Sequence, residues 1–141
     1  MQFWVQRPGL CSRDAPAAGR HPVQPSARGG QLWGPASHPP PLPTQPAEVN
    51  TLIAKDRSNL FVNGLSLGGL KCSVIRDSLH TEGEYTMDLR TKSTGGAPTF
   101  NITVSMTDKT LVAVMGKEGV HGGCVNKKCF EMANHLRRSH Y

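Results

Sequence analysis

The chain has 141 residues, enough for one domain, with a formal charge of +6 that points to an anionic partner. No stretch approaches the roughly 18 consecutive apolar residues of a membrane-spanning helix, and Met1–Leu10 lacks the apolar core and cleavage site of a secretory signal. The four cysteines (Cys11, Cys72, Cys124, Cys129) have no paired CxxC spacing, so neither a zinc site nor a disulfide framework is expected, and a reduced, cytosolic protein is the default.

Ten of the eleven prolines fall in Met1–Pro46, with four arginines, no lysine, one acid (Asp14), no isoleucine and no tyrosine. That composition buries too little apolar surface to offset the entropy of ordering the chain, and Pro8, Pro16, Pro22 and Pro25 interrupt every candidate helix or central strand. Met1–Gln45 reads as mostly disordered. Within it, His38-Pro-Pro-Pro-Leu-Pro43 has the composition of a polyproline II segment, either a stiff tether or a ligand for a proline receptor.

From Pro46 the text changes. Pro46 suits a first helical position and Glu48 the positive end of the dipole; Val49, Leu52 and Ile53 recur at helical spacing, so a short helix is expected up to Lys55. Leu60–Leu65 reads as a strand breaking at the turn pair Asn63-Gly64. Gly68-Gly69 then opens a strand over Lys71–Asp77, with Cys72 and Val74 inward and Lys71, Ser73 and Ile75 outward. In Glu84–Lys92, Tyr85, Met87 and Leu89 face one way and Glu84, Thr86, Asp88, Arg90 and Lys92 the other. Thr99–Met106 puts Phe100, Ile102, Val104 and Met106 on the core side, leaving Thr99 and Asn101 outside. Thr110–Met115 is apolar throughout, as a central strand is. Gly122-Gly123 suggests a turn at positive φ. Asn126–Arg138 is helical, with an apolar stripe of Cys129, Met132, Ala133 and Leu136 and two arginines at the negative end. Short gaps favour antiparallel hairpins, so the fold class is α+β: an antiparallel sheet between helices.

No enzyme site emerges. The six histidines form no HxH or HxxxH pair, and Gly116–Gly123 is glycine-rich but lacks the GK[ST] ending of a phosphate loop. Cys129 could pair with a distant histidine as a nucleophile, yet its place on the apolar stripe makes it core. No catalytic residue, metal or cofactor is expected. A protein-binding surface fits better, because Ile75 would stand exposed among the mixed charges of the outward ladders. A general polyanion or nucleic-acid binder is disfavoured by an aromatic content of 6% and by acids within the ladder.

The segments "PAEV", "KDRSNLFVNGLSLGG", "KCSVIRDSL", "MDLRTKSTGGAPTFN", "DKTLVAVMGKEGVHGG" and "NKKCFEMANHLRRSHY" resemble the vertebrate profilins nearly word for word, from Pro46 to Tyr141. The resemblance implies a central antiparallel sheet sandwiched by helices, and binding of monomeric actin, proline-rich segments and phosphoinositide head groups. It implies an actin face made of Phe61 and Val62; Lys71, Ser73, Val74, Ile75 and Arg76; Glu84, Arg90 and Lys92; Thr99 and Asn101; Val120, His121 and Gly123; and Asn126, Lys127 and Glu131. Several of these are the outward ladder positions already singled out. Lys71, Arg76, Arg90, Lys92, Lys127, Arg137 and Arg138 are implied for phosphatidylinositol bisphosphate.

The first 45 residues depart from the family, whose N-terminal helix and first strands are not legible here. Trp4, Trp33, His135, Leu136 and Tyr141 stand at the positions implied for polyproline, but Pro8 stops any helix near Trp4 and Gly34-Pro35 breaks the strand around Trp33. Polyproline binding is therefore expected to be weakened, and one sheet edge and one face of the last helix to lose their cover. Gln45 stands in place of a threonine N-cap. On this reading actin binding competes with a second possibility, a domain too destabilised to fold.

Overall fold

The computed structural model describes residues 2–6 and 45–140, so the segment read as disordered lies, from residue 7 to 44, outside the described residues. In chain order the elements are β1 (Gln2–Gln6), α1 (Pro46–Ile53), α2 (Leu60–Asn63), β2 (Leu65–Leu67), β3 (Leu70–Ser78), β4 (Thr86–Thr91), β5 (Asn101–Met106), β6 (Leu111–Met115) and α3 (Gly122–Arg138). The strands form one antiparallel sheet in the order β1-β6-β5-β4-β3-β2. The α+β class holds, with five strands drawn from the contiguous body of the chain.

The alternation read from the sequence decides which helix covers which face. Met87, Leu89, Ile102, Val104, Leu111 and Met115 bury one face against Val49 and Leu52 of α1 and Leu60 of α2. Val112 and Val114 face the other way and pack on Val125, Cys129 and Ala133 of α3. This is why Leu111–Met115 is apolar throughout: it is covered on both sides.

Pro46 opens α1 as expected, and the Glu48 carboxylate accepts from the Gln45 N–H at 3.1 Å, so the first turn is held although Gln45 is a poor cap. The same carboxylate accepts from Gly68 N at 2.9 Å and Gly69 N at 3.1 Å, tying α1 to the β2–β3 turn. At the other end Arg57 donates to the carbonyls of Leu52 (2.7 Å) and Ala54 (3.1 Å) and forms a buried ion pair with Asp77 of β3.

Four expectations are corrected. Leu60–Asn63 is a turn of helix, closed by Asn63 N to Asn59 O (2.9 Å), rather than a strand. A run this short has no distinguishing period, and one helical turn buries Leu60 while turning Phe61 and Val62 out. Gly64 ends it at φ +69°, where an added Cβ would lie 2.2 Å from the Cys72 carbonyl oxygen. Gly64→Ala should therefore lose about 1–3 kcal/mol of unfolding free energy, read from urea melts. An unchanged midpoint would mean that this turn moves freely.

Gly122 and Gly123 are the second correction: they form the first turn of α3, and positive φ falls instead at Gly119 (φ +78°). The helix starts earlier than its apolar stripe because His121 caps it, Nδ1 accepting from Gly123 N at 3.1 Å. Tyr85 is the third, leaving the Met87–Leu89 ladder. At φ +50° it precedes β4, and the Arg137 guanidinium of α3 lies 5.1 Å from its ring centroid. Fourth, the sheet edge expected to be bare is occupied, since Gln2–Gln6 pairs along the whole of β6. Aromatic and β-branched content suits these residues to a strand.

Candidate functional site

β3 carries the feature that shapes the surface. Its register on β4 slips between Val74 and Arg76, a bulge that leaves Ile75 without a partner. Strict alternation would send Arg76 inward with Cys72 and Val74. The bulge turns it outward opposite Asp88, and brings Asp77 inward opposite Met87 and onto Arg57. Ile75 is left 60% exposed at the bend, and Phe61 and Val62 are 59% and 80% exposed on α2.

Outward residues line up in two rows across the sheet. Ser73 pairs with Arg90 and Arg90 with Asn101; Arg76 pairs with Asp88 and Asp88 with Thr103. Arg90 Nε donates to Thr99 Oγ1 (3.0 Å), so the two ladders read separately from the sequence form one surface. Asn101 Nδ2 donates to the Val120 carbonyl (2.8 Å), fixing the loop that leads to His121 and α3. Lys71 and Lys92 meet through Lys92 N to Lys71 O (2.8 Å), with both side chains exposed. Glu131 pairs with Lys128 at 3.5 Å on the exposed side of α3. Lys127 is exposed on the same helix and Asn126 half-buried.

Arg76 is the most tightly held cation of the face. Nη2 donates to Thr86 Oγ1 (2.8 Å), Nε to Asp88 Oδ2 (3.1 Å) and Nη1 to Glu84 Oε2 (3.3 Å). Asp88 also accepts from Thr103 Oγ1 (2.7 Å) and from Asn126 Nδ2 (2.9 and 3.2 Å to its two oxygens). The sequence placed Asp88 and Thr86 on the outward ladder but gave them no role.

Other expected residues part from this surface. Val74 is in the core and cannot present its side chain. Arg137 turns onto the sheet, donating to Asn134 Oδ1 (2.7 Å), the Met106 carbonyl (2.6 Å) and Ser105 Oγ (3.4 Å), so it is unavailable to a head group that meets the outward rows. Exposed Arg138 is near the far end of α3, about 17 Å along the axis from Lys127. His135 is exposed and Leu136 half-buried against Val112, Val114 and the stripe of α3. Trp4 stands opposite Ala113 in β1, whereas Trp33 and Tyr141 lie outside the described residues.

Cys129 is core, as its place on the stripe predicts. Burial pushes its thiol up to about 12, and burial raises Cys72 to about 11, so both are protonated and unreactive near neutrality. The unfolded chain ionises these thiols near 9.0, the folded one only at about 11 for Cys72 and about 12 for Cys129. Their contribution is complete below pH 9.0 and lost as pH rises through about 11 for Cys72 and about 12 for Cys129. Urea melts should show stability falling above about pH 9, by up to about 1.4 kcal/mol per pH unit for each thiol, with a shallower fall in Cys129→Ala. An identical slope in that variant would contradict the assignment. Among the described residues no group of three or more His, Cys, Asp or Glu gathers as a metal site, and no helix is long and apolar enough to cross a membrane.

The profilin family model matches residues 25–141. Profilin-1 of Bos taurus is 78% identical over 96 residues, covering 68% of this chain and 69% of that protein; profilin-1 of Homo sapiens is 75% identical over the same shares. Among solved structures, mouse profilin IIa in complex with a double repeat from the FH1 domain of mDia1 superposes with a TM-score of 0.68 at 55% identity, covering 70% of each chain.

Proposed function

This chain belongs to the profilin family, and on that premise we propose that it binds monomeric actin through the outward rows of β3–β5, α2 and the first half of α3, and so regulates actin polymerisation. The observation that carries the reading is the bulge. It assembles an exposed aliphatic, Ile75, beside a fixed guanidinium, Arg76, on a face otherwise lined by Lys71, Arg90 and Lys92. An apolar anchor ringed by cations suits an acidic partner surface, with charge setting approach and the desolvated aliphatic setting lifetime. Phe61, Val62, Ser73, Glu84, Thr99, Asn101, Val120, His121, Asn126, Lys127 and Glu131 complete the proposed contacts, with Gly123 as a backbone contact and Val74 shaping the strand from beneath. The protein acts by binding rather than catalysis, in the cytoplasm and at the cytoskeleton.

Lys71, Arg76, Arg90, Lys92 and Lys127 are the proposed phosphoinositide set, which would make an anionic head group compete with actin. The domain is taken as residues 46–141, with 1–45 a divergent segment. Proline-rich ligands are proposed to bind weakly, through His135 and Leu136 with Trp4, Trp33 and Tyr141. A proline-rich partner is supported by the FH1 complex of the mouse relative.

The test is binding of the full chain to monomeric actin by fluorescence anisotropy, alongside a thermal melt. A dissociation constant on the order of 10 µM or tighter is expected. No binding by a chain that melts cooperatively would overturn the reading, and a non-cooperative melt would favour the destabilised alternative.

A further inference from the structure

We propose that Asp88 is the positioning residue of the binding face: its carboxylate, clamped between β5 and α3, holds the Arg76 guanidinium in its binding orientation. The inference rests on the actin-binding reading of this face.

An arginine on a strand has rotamer freedom that a partner must remove on binding unless the fold has already done so. Three acceptors of β4 and its approach reach Arg76, and they are not equivalent. Thr86 is buried but neutral, so its bond carries no charge assistance. Glu84 carries charge, but its side chain is 49% exposed and its bond is 3.3 Å, the geometry of a weak surface pair. Asp88 is both charged and itself immobile, since its side chain is only 23% exposed. Thr103 Oγ1 donates to its Oδ1 and Asn126 Nδ2 to both oxygens, fixing the carboxylate plane with Oδ2 aimed at Arg76 Nε. Order therefore passes from β5 and α3 into Asp88, and from Asp88 into Arg76. A residue at the bulge, which the ladder alone holds loosely, is braced from α3.

Asp88→Asn separates these links. With its oxygen toward the donors of Thr103 and Asn126 the new NH2 group faces Arg76 Nε, donor against donor; with the amide turned over, Arg76 keeps only an uncharged acceptor. Arg76 loses its charged partner on β4 in either pose. Actin affinity of Asp88→Asn should fall about tenfold in the otherwise native chain and by less than twofold in an Arg76→Ala background, because coupled residues give non-additive effects. Equal losses in both backgrounds would overturn the proposal, assigning the effect to another part of the face. A second readout needs no actin: the Arg76 side-chain Nε–H resonance of the free protein should be sharp and slow to exchange, and should broaden or vanish in Asp88→Asn. An unchanged resonance would also overturn the positioning role. Failure of the native chain to bind actin, with that resonance lost in the variant, would instead sink the functional reading and leave the clamp standing.

Discussion

Arg57→Ala is expected to remove about 3–5 kcal/mol of unfolding free energy, a large part of the roughly 5–15 available to a domain of this size. The guanidinium satisfies the carbonyls of Leu52 and Ala54 at the end of α1 and pairs with Asp77, whose side chain is 6% exposed. Truncation leaves a buried carboxylate without its cation and two helix-end carbonyls without a donor, and α1 loses its tether to β3. Among the described residues the Leu79 N–H, at 3.3 Å, is the remaining donor to Asp77, and it cannot replace a full charge. Urea unfolding should show the loss directly, and the melting temperature should drop by about 15–30 °C. Replacing both partners, as Arg57→Met with Asp77→Leu, should recover the part that comes from the stranded charge and leave the part that comes from the carbonyls of Leu52 and Ala54. A single variant that melts like the native chain would show that water reaches Asp77.

Ile75→Asp should weaken actin binding by at least about 30-fold, the equivalent of 2 kcal/mol, while shifting stability by no more than about 0.5 kcal/mol. The two effects separate because Ile75 is 60% exposed and sits at the bulge, outside both cores. A carboxylate there adds no buried charge to the free protein. In a complex it would remove the apolar anchor and set a like charge against an acidic partner. Anisotropy titration with monomeric actin measures the first quantity and urea unfolding the second. Native affinity in this variant would remove Ile75, and with it the bulge, from the binding face.

Much of this was legible in the sequence because a period of two is robust wherever a strand runs without interruption. Met87, Leu89, Ile102 and Val104 occupy the core as read, and Arg90, Lys92, Thr99 and Asn101 line the outer side. The resemblance to profilins extended that outline to α2 and α3. The misreadings occur where one residue breaks the period. At Ile75 the strand takes in an extra residue, so Arg76 and Asp77 exchange the sides that alternation gives them, and no local composition announces it. At Tyr85 a positive φ does the same at a strand entrance. The start of α3 was missed because His121, an uncommon cap, stands before two glycines that look like a turn. The roles of Asp88 and Arg57 were illegible for a different reason: each depends on partners from separate elements, as in Asn126 with Asp88 across 38 residues.

The pairing of β1 on β6 has a kinetic side. Gln6 meets Leu111 and Gln2 meets Met115, so zipping this edge requires contacts more than a hundred residues apart in sequence, whereas β3 to β6 are built from successive hairpins. Closure entropy makes such a distant pairing slow to nucleate, and a strand bonded to a single neighbour is also the first to peel away. The fold thus separates in time as well as in sequence: a body that forms from local hairpins, and a terminal strand that arrives last. Amide exchange should record this order, with the β6 groups that face β1 opening well before those that face β5.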